Sequence, residues 1–105
     1  MIVKFDNREF EVNVANDFWS RFKGLMGKKE FGDGLWLKRC SSIHCMFMKV
    51  NIDVVYLDKH NIVLHKEMVK PWHIGSLVKG CASVLELQEG YSSTISLGEE
   101  MRMEG

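Results

Sequence analysis

Four side chains scattered along the sequence, Arg21, His44, Asp53 and Glu86, are of the types that ligand binding or proton transfer needs. In an extended strand His44 shares a face with Met46 and Met48, while Ile43, Cys45 and Phe47 point the other way. A histidine facing methionines is a tucked residue with one hydrogen bond. Glu86 stands between Leu85 and Leu87 and shares the face of Val84. A buried carboxylate there needs a partner, because an unpaired buried charge is very costly. Arg21 is the natural one, through a bidentate pair. Read functionally, the four residues line a cleft for a polar or anionic ligand. Read structurally, Arg21 and Glu86 are an ion pair that closes a helix onto a sheet, and structural networks of this kind also gather charged groups.

The remaining chemistry-bearing residues carry less. Cys40, His44 and Cys45, with His60, His65 or Cys81, have ligand atoms suited to zinc, but the paired short spacings of a zinc site are missing. His44 and Cys45 are adjacent, so a strand sends them to opposite sides, which separates a nucleophile from its base. No metal, no disulfide and no cofactor is expected. Trp19, Trp36 and Trp72 could line a groove by stacking, although such residues are more often core. Trp72 follows Pro71 in a loop with glycines beyond it, which makes it the best exposed candidate. No phosphate-cradling glycine motif occurs.

The elements that must position these groups read as follows. The chain has 105 residues, the length of one domain spanning 1–105. Its 14 basic and 14 acidic residues cancel, which argues against a dedicated nucleic-acid surface. No stretch approaches the roughly 18 apolar residues of a membrane helix, and the N-terminus reads as no signal peptide. Three cysteines without an export signal are expected as reduced thiols in the cytoplasm.

The first fourteen residues alternate as a hairpin, with Asp6-Asn7-Arg8 as its turn. Phe18, Trp19, Phe22, Leu25 and Met26 then fall on one helical stripe, which predicts a helix over about residues 17–26. Strands are expected at 34–38, 43–49, 53–58, 62–68, 82–88 and 101–104, with Asp58-Lys59-His60-Asn61 as a hairpin turn. Lys70-Pro71-Trp72 opens a longer loop through Gly80. The fold class is mainly β: a compact sandwich or small barrel with one flanking helix.

Several pieces occur in order: Arg21 with Gly24-Leu25-Met26, Ser42-Ile43-His44, Met48, Ile52 to Asp58, Lys70-Pro71-Trp72, Val84-Leu85-Glu86-Leu87 with Gly90, and Gly98-Glu99. The series resembles the uncharacterised family numbered one hundred and ninety-two in the domain-of-unknown-function series. That resemblance runs from about Phe18 to Gly98. It implies a compact, mainly β domain of bacteria and archaea and implies no reaction.

The function is therefore unknown from sequence. The leading expectation is a small non-enzymatic binding or accessory module, with a polar cleft between helix and sheet around Arg21, His44, Asp53, Trp72 and Glu86. Its partner would be a small polar or anionic ligand or a protein. One alternative is a small hydrolase or transferase using His44 as general base, oriented by Asp53 or Glu86. Another is a structural subunit of a larger assembly.

Overall fold

A computed structural model of the chain describes residues 1–15, 33–38, 51–70, 73 and 75–104. The helix expected over 17–26 and the strand expected over 43–49 lie outside these residues. The described elements are mainly strands: β1 (Ile2–Lys4), β2 (Glu9–Ala15), β3 (Gly34–Lys38), β4 (Ile52–Leu57), β5 (Val63–Val69), β6 (Ser83–Gln88) and β7 (Arg102–Glu104). A single 3-10 turn, Tyr91–Thr94, sits between β6 and β7. The expected strands at 34–38, 53–58, 62–68, 82–88 and 101–104 are present within a residue or two of those bounds.

The strands form one sheet in the order β5-β4-β6-β3-β2-β1-β7. Its two ends meet. The residues leading into β7 bond back to the start of β5: Val63 N to Glu99 O at 2.9 Å, Gly98 N to Val63 O at 2.8 Å and Met101 N to Asn61 O at 2.8 Å. An isolated bridge joins Ile62 to Glu100. Backbone hydrogen bonds thus run round a full circuit, which decides between the two expected architectures in favour of a small barrel. Closure leaves less edge for another chain to pair with.

Alternation divides each strand between two faces. The inner face supplies one cluster from around the circuit, including Val3, Phe10, Val12, Trp36, Val55, Leu57, Val63, Leu85 and Leu87. Tyr91 and Ile95, in and just after the 3-10 turn, pack onto it. The outer face of β3 to β6 carries a second apolar cluster: Leu35, Leu37, Ile52, Val54, Tyr56, Val69 and Val84, with Val78 and Cys81 of the 70–82 loop against it. β2, by contrast, exposes Glu9, Glu11 and Asn13 while burying Phe10 and Val12, as its alternation predicts.

Two local devices set this geometry. Gly34 faces Leu87 across the β3–β6 ladder, and a Cβ there would collide with the carbonyl of Glu86. The 58–61 turn is fixed by Asp58, whose Oδ1 accepts the amides of His60 (2.7 Å) and Ile62 (3.0 Å). Asn61 takes a left-handed φ of 64°, which asparagine tolerates better than most residues. After the turn, Leu57 pairs with Val63 but Tyr56 pairs with His65, so Leu64 is a bulge.

Candidate functional site

The bulge decides which side chains reach the outer face. Plain alternation would put Val63, His65, Glu67 and Val69 on one side. The extra residue leaves Val63 in the inner cluster and turns His65, Glu67 and Val69 outward, opposite Tyr56, Val54 and Ile52. Val54 is also opposite Glu86 on β6. Glu67, Val54 and Glu86 therefore make one row across three strands.

Glu86 is the most unusual member of that row. It is 1% exposed, and neither carboxyl oxygen has a hydrogen-bond partner among the described residues. Its flanks are Leu35 on β3 and Val54 on β4. Burial disfavours the charged form and pushes the carboxyl up to about 8, so it is mostly protonated at neutral pH. A protonated carboxyl is both donor and acceptor.

Glu67, at the other end of the row, is fully engaged. Its Oε2 accepts the Tyr56 hydroxyl at 2.5 Å and the Ser76 amide at 2.8 Å, and its Oε1 accepts the Ser76 hydroxyl at 3.0 Å. Partial burial alone would raise Glu67, but these bonds outweigh it and hold the carboxyl below its ordinary value. Tyr56 is wholly buried, and burial followed by the bond to Glu67 pushes its phenol well up. The Tyr56 ring stacks on His65, centroids 5.6 Å apart. Beside this network an open pocket of about 370 Å³ is lined by Glu67, Met68, Val69, Lys70 and His73.

Of the expected site residues, Asp53 and Glu86 fall among the described ones; Arg21, His44 and Trp72 lie outside them. The sheet does not bring Asp53 and Glu86 together. Asp53 pairs with Leu87, one rung from the Val54–Glu86 pair, and so points to the inner face. There its Oδ2 accepts the amides of Gly90 (3.1 Å) and Ser92 (2.9 Å) and the Ser92 hydroxyl (2.6 Å). It caps the 3-10 turn from a neighbouring strand, a structural task carried by one carboxyl oxygen. Arg21, the expected partner of Glu86, lies outside the described residues.

Tyr56, Glu67 and Ser76 were not expected as a group. The signal for the first two was present in the turn: a hairpin closed at 58–61 places residues 54 and 56 near 65 and 67. Ser76 belongs to an irregular loop and carries no such signal. Among the described residues no three His, Cys, Asp or Glu side chains gather as a metal would require. The Cys81 thiol donates to the carbonyl of Ser83 at 3.2 Å. No helix among the described residues is long and apolar enough to cross a membrane.

Comparison with known proteins agrees with this architecture. Two solved structures share the fold: a protein of unknown function from Novosphingobium aromaticivorans (TM-score 0.82, 19% identity, 98% of this chain and 84% of that one), and a protein from Sinorhizobium meliloti described as a candidate transcription regulator (0.78, 18%, 96% and 91%). Among curated sequences, a UPF0127 protein of Thermococcus kodakarensis is 30% identical over 85% of this chain, which spans only 60% of that relative's length. A UPF0127 protein of Pyrococcus furiosus is 28% identical over 98% of this chain and 93% of its own. None of these names assigns a reaction. The DUF192 family model, described as uncharacterized, matches residues 1–105, and the chain belongs to that family.

Proposed function

We propose that this domain is a small non-enzymatic binding or accessory module, working in the cytoplasm, whose ligand sits on the outer face of β3 to β6. The observation that carries the reading is Glu86: a 1% exposed carboxyl, in the middle of an apolar face, with both oxygens unbonded among the described residues. Buried polar groups are almost always hydrogen-bonded, and each exception calls for a cause. A ligand group that completes the bond is such a cause. Binding is preferred to catalysis because among the described residues no nucleophile–base pair stands near Glu86, and Glu67 is immobilised by three bonds. The equal numbers of basic and acidic residues weigh against nucleic acid as the ligand.

The test is an amide-proton NMR titration with a panel of small compounds: alkylammonium ions, amides, monosaccharides, acetate and phosphate. At least one class is expected to shift signals of residues 35–37, 52–56 and 84–86 together. A panel that leaves all of these unmoved refutes the reading.

A further inference from the structure

A strap lies over part of the outer face on the way from β5 to β6. Residues 75–80 form no strand or helix, and they meet the face at two points. At the first, Ser76 gives Glu67 both its amide (2.8 Å) and its hydroxyl (3.0 Å). At the second, Val78 packs on the outer apolar cluster. Between them Leu77 turns away and is 85% exposed. The strap ends in a turn closed by Cys81 N to Val78 O at 3.1 Å, with Gly80 at a left-handed φ of 84°. Beyond the turn Ala82 N donates to Leu57 O at 2.8 Å, so the chain has rejoined the sheet. Wholly buried Tyr56 belongs to the cluster that Val78 and Cys81 cover, and its hydroxyl shares Glu67 with Ser76.

The strap is fastened lightly compared with what lies beneath it. Both Ser76 bonds are exposed to solvent, and Val78 is only half-buried. Segments with few buried apolar contacts and solvent-exposed hydrogen bonds open at much lower free energy than the strands around them. Glu67 stays on its strand and keeps the Tyr56 bond when Ser76 leaves. Gly80 supplies a joint: glycine changes φ and ψ with little steric cost, and hinges are a few loop residues that absorb such changes. Among the described residues the nearest atom to a Cβ at Gly80 would be Leu64 Cδ1, at 3.8 Å, so the joint has room.

We infer that residues 75–80 are a hinged strap, latched by Ser76 on Glu67 and pivoting at Gly80, whose opening uncovers the Tyr56 end of the outer face. This supplies the access that a ligand on so buried a face requires, and it rests on the reading of that face as the binding surface. Turning the backbone at Gly80 lifts Val78 and breaks the bond from Cys81 N to Val78 O, so the far end of the strap reports on the latch. A ligand that binds only the open form has its affinity reduced by the fraction of molecules that are closed. The latch therefore sets the affinity.

The experiment is amide hydrogen exchange by NMR on the full chain, wild type and Ser76→Ala. Both proteins are then titrated with n-butylammonium, acetamide, glucose, acetate and phosphate. Ser76→Ala deletes the hydroxyl bond and keeps the amide one, so opening is expected to rise about five-fold, the worth of one hydrogen bond. The Cys81 amide should exchange faster by that factor, while Val54 to Tyr56 keep their wild-type rates. A Cys81 amide that ignores Ser76→Ala overturns the inference, because the two ends then move independently. Equal acceleration of Val54 to Tyr56 also overturns it, because the loosening is then global. Any compound that shifts residues 52–56 and 84–86 should bind Ser76→Ala about five-fold more tightly. Equal affinity for the two proteins leaves the face a binding surface and removes the strap as its gate. A Cys81 response with no shift from any compound keeps the strap and removes the ligand reading.

Discussion

Asp53 and Glu86 stand one rung apart on neighbouring strands, both acidic and both buried, yet the two faces of the sheet treat them oppositely. On the inner face Asp53, 6% exposed, accepts three hydrogen bonds from Gly90 and Ser92. On the outer face Glu86, 1% exposed, accepts none among the described residues. Burial by itself therefore says little about a carboxylate's role. What decides is whether the backbone nearby offers donors. The 3-10 turn does so on the inside, because the first amides of any helical turn lack partners of their own. The ladder of β3, β6 and β4 does not, because its amides are spent on strand pairing.

The change that breaks the comparison outright is at the joint beneath both residues. Gly34→Ala drives a methyl into the Glu86 carbonyl, a backbone atom that cannot swing aside. We expect a loss of about 4 kcal/mol, at the upper end of overpacking effects, measured by urea denaturation. A loss below about 1 kcal/mol would mean that β3 and β6 separate easily there.

Removing the engaged carboxylate comes next. Asp53→Ala strands two amides and a hydroxyl around Ser92, which is itself buried. Charged hydrogen bonds contribute about 1.5–3 kcal/mol each but do not add fully, so a loss of about 3 kcal/mol is expected. Hydrogen exchange should quicken first at Gly90 to Thr94.

Removing the unengaged one has the opposite sign. Glu86→Leu replaces a polar group unbonded among the described residues by an apolar one on an apolar face, and at pH 7 we expect a gain of about 2 kcal/mol. The pH dependence follows from the raised carboxyl. Below its ordinary value of 4.5 both folded and unfolded chains are protonated and no penalty exists. Between 4.5 and about 8 the unfolded chain ionises while the folded one does not, so stability falls as pH rises, by up to about 1.4 kcal/mol per unit. The wild type should show that decline and Glu86→Leu should lack it. A buried pair with Arg21 predicts the reverse, since removing one partner of such a pair costs about 3–5 kcal/mol.

The same two faces explain what the sequence disclosed. Strands with clean alternation or continuous apolar character, such as 9–15 and 52–57, were legible because one or both faces are buried. The turn at 58–61 was legible because Asp58 and Asn61 are suited to it. The faces of β5 were not, because one inserted residue, Leu64, reverses the parity on which side-chain direction is judged. Burial of Glu86 was legible from its leucine neighbours. Separation of Asp53 from Glu86 was not, because it depends on how β4 and β6 register across residues 58–82.

The smallest test concerns the outer network that Glu67 organises. Tyr56→Phe deletes one hydroxyl and leaves the buried ring, its stacking on His65 and both Ser76 bonds to Glu67 in place. Glu67 keeps an amide and a hydroxyl donor, so its carboxylate is not stranded. A loss of about 1 kcal/mol is expected, the net worth of one hydrogen bond. The Glu67 carboxyl should also titrate at higher pH in the variant, since the Tyr56 bond helps hold it down. A carbon-13 titration of that carboxyl measures this directly. Because the folded-state value stays below the ordinary 4.5, Glu67's contribution to stability is present above that pH and fades as pH falls through the lowered value. The variant should therefore shed less stability on acidification than the wild type. An unchanged Glu67 titration would mean that Ser76 alone holds the carboxylate, and the outer face would then have its donors in the loop rather than in the sheet.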